Sequence, residues 1–202
     1  MGRDRTMKFA LIGAHSAGKT TCVSYILQYL KSVGIEDVLI REENARMCPY
    51  PINLVTNFKG HAWILTELIR AELELEKKCS YMICDRSAID QVVYADEGRR
   101  RGRITAQEFR WIRNTAIEWL RTRPYDVIYL MESLELKEDS MRPKSLKWHK
   151  DIARLFEAWV PYLTPRGYIR MGGEMRIRKQ VLATDVEAKI RNPPCSVMGR
   201  TF

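Results

Sequence analysis

Near its N-terminus the chain reads Gly13-Ala14-His15-Ser16-Ala17-Gly18-Lys19-Thr20, and this stretch decides the fold. It matches the pattern G-x-x-x-x-G-K-[ST] at every fixed position. An apolar run at residues 7–12 precedes it, and a segment with apolar residues at helical spacing, residues 19–33, follows it. A glycine-rich loop between a strand and a helix can wrap its N–H groups around a phosphate, where the helix N-terminus adds positive potential. The stretch therefore predicts a site for nucleotide phosphates.

Residues 13–21, which we call the phosphate loop, are expected to bind a nucleoside triphosphate, with different residues contacting the phosphates and the metal ion. Lys19 would reach the β- and γ-phosphates, and the Thr20 hydroxyl would bind Mg²⁺. We expect His15 to contribute its backbone rather than its imidazole. The loop contacts to the nucleotide are expected from Gly13, Ala14, His15, Ser16, Ala17, Gly18, Lys19, Thr20 and Thr21.

Apolar runs alternate with helical patterns along the whole chain. Strands are expected at residues 7–12, 37–40, 81–84, 126–130 and 168–171. Helices are expected at 19–33, 61–78, 88–96, from a capping box at Thr105 and Glu108 onward, at 148–162 and at 174–191. This alternation predicts an α/β fold of three layers around a central, mostly parallel five-stranded sheet. The 202 residues suit one domain over residues 1–192, followed by a flexible tail at 193–202.

Composition narrows the class of partner. The net charge of +9 and the pI of about 9.4 suit anionic partners, either phosphates or nucleic acid. Five cysteines without a C-x-x-C pair argue against disulfides and zinc, and favour the cytoplasm. No apolar run is long enough for a membrane span. The densest basic run, residues 99–103, is expected to be a solvated loop, with contacts to substrate phosphate or RNA left open. The sequence also leaves a homodimer open.

The end of the third predicted strand helps to distinguish a kinase from a GTPase or a motor ATPase. A GTPase would normally carry Asn-Lys-x-Asp, and this sequence lacks that tetrapeptide. A motor ATPase typically ends this strand in Asp-Glu, whereas here Asp85 is followed by Arg86. The arginine favours transfer to a bound acceptor over transfer to water. We expect Asp85 to help hold Mg²⁺ and Arg86 to face a phosphate or the transferring group.

Carboxylates also follow the second predicted strand. In parallel α/β sheets the ligand crevice lies at the carboxyl ends of the strands. A carboxylate there can accept the proton of an attacking hydroxyl. Alternation along the strand would point only one of Glu42 and Glu43 into the cleft, and by position we favour Glu42 as the base, with Glu43 as a substrate contact. Arg46 would bind acceptor phosphate.

A polar stretch after the fourth predicted strand is expected to form a lid at about residues 135–150. A lid excludes water and brings arginines onto the transferring phosphoryl group. Arg142 is the first candidate for that catalytic role, and Arg154 is a second, substrate-binding candidate.

These blocks together resemble the ribosylnicotinamide-kinase-like branch of the P-loop kinases, grouped with AAA-type ATPase/kinases of NAD metabolism. The resemblance covers residues 7–190. It is carried by the phosphate loop, by residues 41–46, by Asp85-Arg86-Ser87 with Asp90 and Tyr94, and by Asp139 with Arg142. It implies the P-loop kinase fold, a substrate-binding Asp90, and phosphorylation of a nucleoside, nucleotide or related hydroxyl compound by Mg-ATP. An RNA-directed kinase and a non-catalytic nucleotide-dependent switch stay open.

Overall fold

The computed structural model describes residues 5–133 and 143–193, with side chains left out for residues 143–146. The predicted catalytic Arg142 and the lid residue Asp139 lie outside the described residues, as does most of the predicted tail. The strands are β1 (Met7–Ile12), β2 (Val38–Arg41), β3 (Tyr81–Asp85), β4 (Val127–Met131) and β5 (Ile169–Met171). The helices are α1 (Lys19–Ser32), α2 (Phe58–Leu75), α3 (Ala88–Arg100), α4 (Ala106–Thr122), α5 (Pro143–Leu163) and α6 (Met175–Arg191), with short 3-10 helices at Ala45–Met47 and Asn53–Val55.

The five strands form one parallel sheet in the order β2-β3-β1-β4-β5. The predicted α/β sheet is confirmed, and every pairing in it is parallel. Strand β1 is central, with Leu11 beside Asp85 of β3 and Ile12 beside Leu130 of β4. The phosphate loop therefore leaves the sheet between the carboxyl ends of β3 and β4, where parallel sheets bind ligands.

Alternation along the strands divides the core into two layers. One face of β1 carries Ala10 and Ile12 and packs with helices α2 to α5. Its other face carries Phe9 and Leu11 and packs with α1 and α6. Both faces are apolar because a parallel sheet is covered by helices on both sides. The expected three layers are thus present.

Helix boundaries follow capping residues and backbone geometry. The predicted capping box at Thr105 and Glu108 is present at the start of α4. A second capping box, made by Ser87 and Asp90, starts α3. Helix α5 begins at Pro143, earlier than the expected start at Trp148, so residues 143–150 of the predicted lid are helical. Proline is accepted there because the first turn of a helix needs no N–H donor from it.

The basic run at residues 99–103 is not the solvated loop that we expected. Arg99 and Arg100 belong to the last turn of α3, and both bind Asp96 one turn earlier, at 2.7 and 3.0 Å. Arg101 and Arg103 both bind Glu97. Because Asp96 and Glu97 are buried, much of this positive charge is neutralised within the helix and the turn after it.

The described helices include none that combines the length and the apolar character needed to cross a membrane.

Candidate functional site

The phosphate loop has the backbone geometry that its sequence predicts. Gly13 has φ 136° and Gly18 has φ 78°, both in the region that favours glycine. A Cβ on Gly13 would lie 2.6 Å from the carbonyl oxygen of Met131, so no larger residue fits between β1 and β4. Gly18 lies directly before α1, which points its first N–H groups at the loop. The loop therefore fits a phosphate chain.

Lys19 lies inside the loop and is only 5% exposed. Its Nζ donates hydrogen bonds to the carbonyl oxygens of Gly13 and Ala14, at 2.8 and 2.7 Å. Burial, with the positive charge of Arg86 as the second cause, lowers the pKa of Lys19 to about 7. An anion in the loop would stabilise the charged form, since an opposite charge nearby favours ionisation.

Thr20 and Asp85 meet at the end of β3. The Thr20 hydroxyl donates to Oδ2 of Asp85 at 2.5 Å. The Asp85 carboxylate is buried, and its Oδ1 has no hydrogen-bond partner within the part of the chain that the structure describes. A hydroxyl beside a carboxylate oxygen of this kind suits Mg²⁺, which binds one or two protein oxygens together with phosphates and water. The residues predicted to hold the ion are thus adjacent and chemically suited to it.

Arg86 follows Asp85 with φ 75°, a conformation that is uncommon for a non-glycine residue. Its guanidinium forms an ion pair with Glu43 through Nε and lies over the ring of Tyr94, 5.3 Å from the centroid. Its Nη1 reaches the Tyr94 hydroxyl at 3.4 Å. Backbone strain of this kind is common at functional sites.

The structure corrects the preference for Glu42 over Glu43. Strand β2 ends at Arg41, so strand alternation no longer governs the two glutamates that follow. Glu42 is exposed, whereas Glu43 is partly buried and contacts Arg86. Glu43, Asn44, Ile64, Leu68, Arg86 and Gln91 line a small pocket between the ends of β2 and β3 and helix α2. Of the two carboxylates, that of Glu43 is the one that lines this pocket.

Arg41 holds the backbone of Glu42 and Arg86 in place, a role that was not predicted from the sequence. It is 2% exposed, and it donates to the carbonyl oxygens of Arg86 at 2.5 Å and Glu42 at 2.9 Å. Its Nε lies 3.7 Å from the buried carboxylate of Glu72. The signal in the sequence is a charged residue closing an apolar strand, a position that a parallel sheet buries.

Asp90, predicted to bind substrate, is fully buried. Its carboxylate accepts from the backbone N–H of Ser87 at 2.8 Å in the capping box. It also lies 3.4 Å from the backbone nitrogen of Gly13 and 3.5 Å from Nη1 of Arg86. These contacts give Asp90 a role in positioning the phosphate loop and Arg86, and the predicted contact with an acceptor stays a prediction.

The imidazole of His15 is engaged, contrary to the expectation that only its backbone would matter. Its ring nitrogen Nδ1 lies 2.9 Å from the Tyr94 hydroxyl, which also accepts its backbone N–H at 3.1 Å. The ring stacks on Trp148 of α5 with centroids 4.2 Å apart. Burial, followed by the electrostatic influence of His149 and Arg86, lowers the pKa of His15 to about 4, so the ring is neutral at neutral pH.

Two predicted arginines lie away from this cluster. Arg46 is an exposed residue of the 3-10 helix Ala45–Met47. The Arg154 side chain is 80% exposed on α5 and pairs with Asp151 at 3.7 Å. It lines a surface pocket with Arg100 and Arg101 rather than with the phosphate loop.

The parallel sheet and the loop after β1 define an α/β fold of the P-loop kinase-like type. The model of the AAA domain family matches residues 8–169, which is most of the chain, and the protein belongs to that family. No curated protein matches the sequence.

Solved structures show the same fold at low sequence identity. Deoxyadenosine kinase from M. mycoides, solved with dCMP and dCDP, is 15% identical with a TM-score of 0.64, covering 90% of this chain and 100% of its own. NadR in complex with NR is 15% identical with a TM-score of 0.65, over 98% of this chain and 53% of its own. Thymidylate kinase from Ehrlichia chaffeensis is 16% identical with a TM-score of 0.60, over 92% and 98%. The α/β P-loop kinase-like fold is confirmed.

Proposed function

We propose that this protein transfers the γ-phosphoryl group of Mg-ATP to a hydroxyl or phosphate oxygen of a nucleoside or nucleotide. One observation carries the proposal: the Glu43 carboxylate and the Arg86 guanidinium meet at a small pocket. Arg86 is linked to the phosphate loop through Asp90, whose Oδ1 lies 3.5 Å from Nη1 of Arg86 and 3.4 Å from the backbone nitrogen of Gly13. Phosphoryl transfer depends on positioning and on charge stabilisation, and Glu43 with Arg86 supplies a proton acceptor and a cation together. The structural relatives include two kinases whose names specify a deoxynucleoside and a nucleotide.

The donor would bind in the phosphate loop. The loop N–H groups and Lys19 would hold the β- and γ-phosphates, and Thr20 with Asp85 would hold Mg²⁺. When bound, the ion would neutralise charge on the β- and γ-phosphates. The unpartnered Oδ1 of Asp85 is the observation that favours the ion here.

The acceptor would lie in the pocket between β2, β3 and α2. Ile64 and Leu68 line the apolar side of this pocket, and Asn44 and Gln91 line its polar side. At about 10 Å³ the pocket would have to widen to admit an acceptor ring. Glu43 would accept the proton of an attacking hydroxyl. Arg86 would stabilise the negative charge on the transferring group, because Asp90, Tyr94 and Arg41 hold it in place.

A transfer assay with γ-labelled ATP and Mg²⁺ tests the proposal. The acceptor panel should contain deoxynucleosides, ribonucleosides, nicotinamide riboside, nucleoside monophosphates and RNA 5′ ends, the last because the net charge is +9. We expect labelled product with a nucleoside or nucleotide, and loss of it in Arg86→Met. Purified protein that binds Mg-ATP but labels no member of the panel would contradict the proposal, and label on RNA alone would favour a polynucleotide kinase.

A further inference from the structure

Two buried side chains near the start of the described part of α5, those of Trp148 and His149, lie against His15 of the phosphate loop. The indole of Trp148 stacks on the imidazole of His15, with an interplanar angle of 29°. The ring of His149 meets His15 edge-on, with centroids 5.0 Å apart. Trp148 and His149 are each only 5% exposed. The loop therefore carries a cover of two heteroaromatic rings.

The polar atoms of these two rings are buried without a hydrogen bond. Nε1 of Trp148 and both Nδ1 and Nε2 of His149 have no partner among residues 5–133 and 143–193. Indole Nε1 is always a donor, and a neutral imidazole has one donor nitrogen. Buried donors without a partner are rare in native proteins, and one explanation for them is a missing ligand.

The charges around these atoms select the kind of ligand. Burial and then the nearby ammonium of Lys19 lower the pKa of His149, which favours the neutral ring. The positive charges of Lys19 and Arg86 also act on the adjacent His15. Two N–H donors in a region of positive potential suit an anion with several oxygen acceptors, as phosphate is.

We propose that His149 and Trp148 donate hydrogen bonds to the terminal phosphates of the nucleoside triphosphate in the loop. The inference rests on the proposed function only in requiring that a triphosphate binds there. The terminal phosphates are chosen because Lys19 reaches the β- and γ-phosphates in such loops. Its Nζ bonds to the carbonyl oxygen of Ala14, directly before the His15 ring on which Trp148 and His149 pack. Stacking on His15 sets the position of the two donors. Helix α5 thereby distinguishes ATP from ADP and AMP by the number of their phosphates.

The test compares the dissociation constants of ATP, ADP and AMP by calorimetry, without any acceptor. His149→Phe keeps a ring against His15 and removes both nitrogens, whereas His149→Gln keeps an N–H donor and removes the ring. We expect His149→Phe to weaken ATP binding about tenfold and AMP binding less than about twofold. We expect His149→Gln to restore much of the affinity for ATP. Trp148→Phe should keep the stack and weaken ATP binding severalfold.

Lys150→Ala is the matched control, because Lys150 is exposed on the same helix and its loss should leave the discrimination between ATP and AMP unchanged. Circular dichroism and Tm would show that each variant is folded. Equal weakening of all three nucleotides, or full affinity in His149→Phe, would overturn the inference while leaving the proposed function intact. Failure of the unaltered protein to bind ATP would overturn both.

Discussion

Lys19 shows how burial sets the protonation of a single side chain. Its ammonium lies among loop carbonyls and close enough to Arg86 to be repelled, and its pKa falls to about 7. A bound phosphate chain would raise that pKa again, because the opposite charge favours the ammonium. Binding of the anion and binding of a proton at Lys19 are therefore linked.

We expect the affinity for Mg-ATP to depend on pH through Lys19. The pKa is higher in the complex than in the unbound protein, so affinity is full below about pH 7 and falls as the pH rises through the unbound pKa, by at most about tenfold per pH unit. Calorimetry between about pH 7.5 and 9, in buffers with different ionisation enthalpies, would measure the proton taken up. Lys19→Met should bind ATP weakly and without that uptake. ATP binding by the unaltered protein with no proton uptake would contradict this prediction.

Glu43 and Glu42 form a natural matched pair for testing the base. Only Glu43 reaches Arg86, while its neighbour is exposed. We expect Glu43→Gln to lower kcat by about 10²-fold or more, the typical contribution of a positioned base. The Kd of ATP should change little, because the donor site does not include Glu43.

Glu42→Gln is the control for that comparison and should keep nearly full kcat in the same transfer assay. A large loss of kcat in Glu42→Gln with a small loss in Glu43→Gln would restore the original sequence-based choice.

The buried side chain of Arg41 connects the neighbouring strands β2 and β3 next to the candidate site. From the end of β2 it reaches the carbonyl oxygen of Arg86 just beyond β3, while its other side faces Glu72 of α2. Glu72 also accepts from Lys8 at 3.1 Å and from the Tyr125 hydroxyl at 2.7 Å. The strained backbone of Arg86 is thus held by a buried network that spans β1, β2 and α2.

We expect Arg41→Lys to lower kcat about tenfold while leaving the Kd of ATP unchanged. Lysine keeps a positive charge near Glu72, but it lacks the planar fork that bonds two carbonyl oxygens at once. Arg41→Met should in addition lower the free energy of unfolding by about 3 kcal/mol, because it removes one of the positive charges that offset the buried negative charge of Glu72. Urea unfolding and steady-state kinetics would measure the two effects. Normal kcat in a folded Arg41→Lys would show that Arg41 serves stability alone.

For the molecule as a whole, the ligand should act as a stabiliser. The phosphate loop connects the centre of the sheet to α1, and its cover comes from α5, so a bound triphosphate would contact both layers of the fold. Ligand at about 100 times its Kd adds about 2.7 kcal/mol to the stability of the native state. For a chain of this size that corresponds to a rise in Tm of roughly 5–10 °C.

Differential scanning calorimetry with and without Mg-ATP would measure this rise. Lys19→Met should show little of it, and a similar rise with free phosphate at equal concentration would show that the nucleotide itself is not recognised.

The sequence by itself determined the order of strands and helices, the parallel sheet, the phosphate loop and the meeting of Thr20 with Asp85. These follow from local periodicity and from short motifs. Helices bond residues close in the chain, strands alternate their side chains with a period of two, and the motif residues have known positions relative to both. The sequence also placed Arg86 at the carboxyl end of a central strand, where the structure has it.

Only the tertiary structure decided the remaining points. Residues after Arg41 leave the strand, so no periodicity could show that Glu43 rather than Glu42 faces Arg86. The rings of Trp148 and His149 reach His15 from the far half of the chain, through the packing of α5 across the sheet. The four arginines of residues 99–103 pair with the buried carboxylates of Asp96 and Glu97, which offset two of the four positive charges. In each case the physical reason is the same. Burial and long-range packing determine which side chains come into contact, and the local sequence pattern does not distinguish between the candidates.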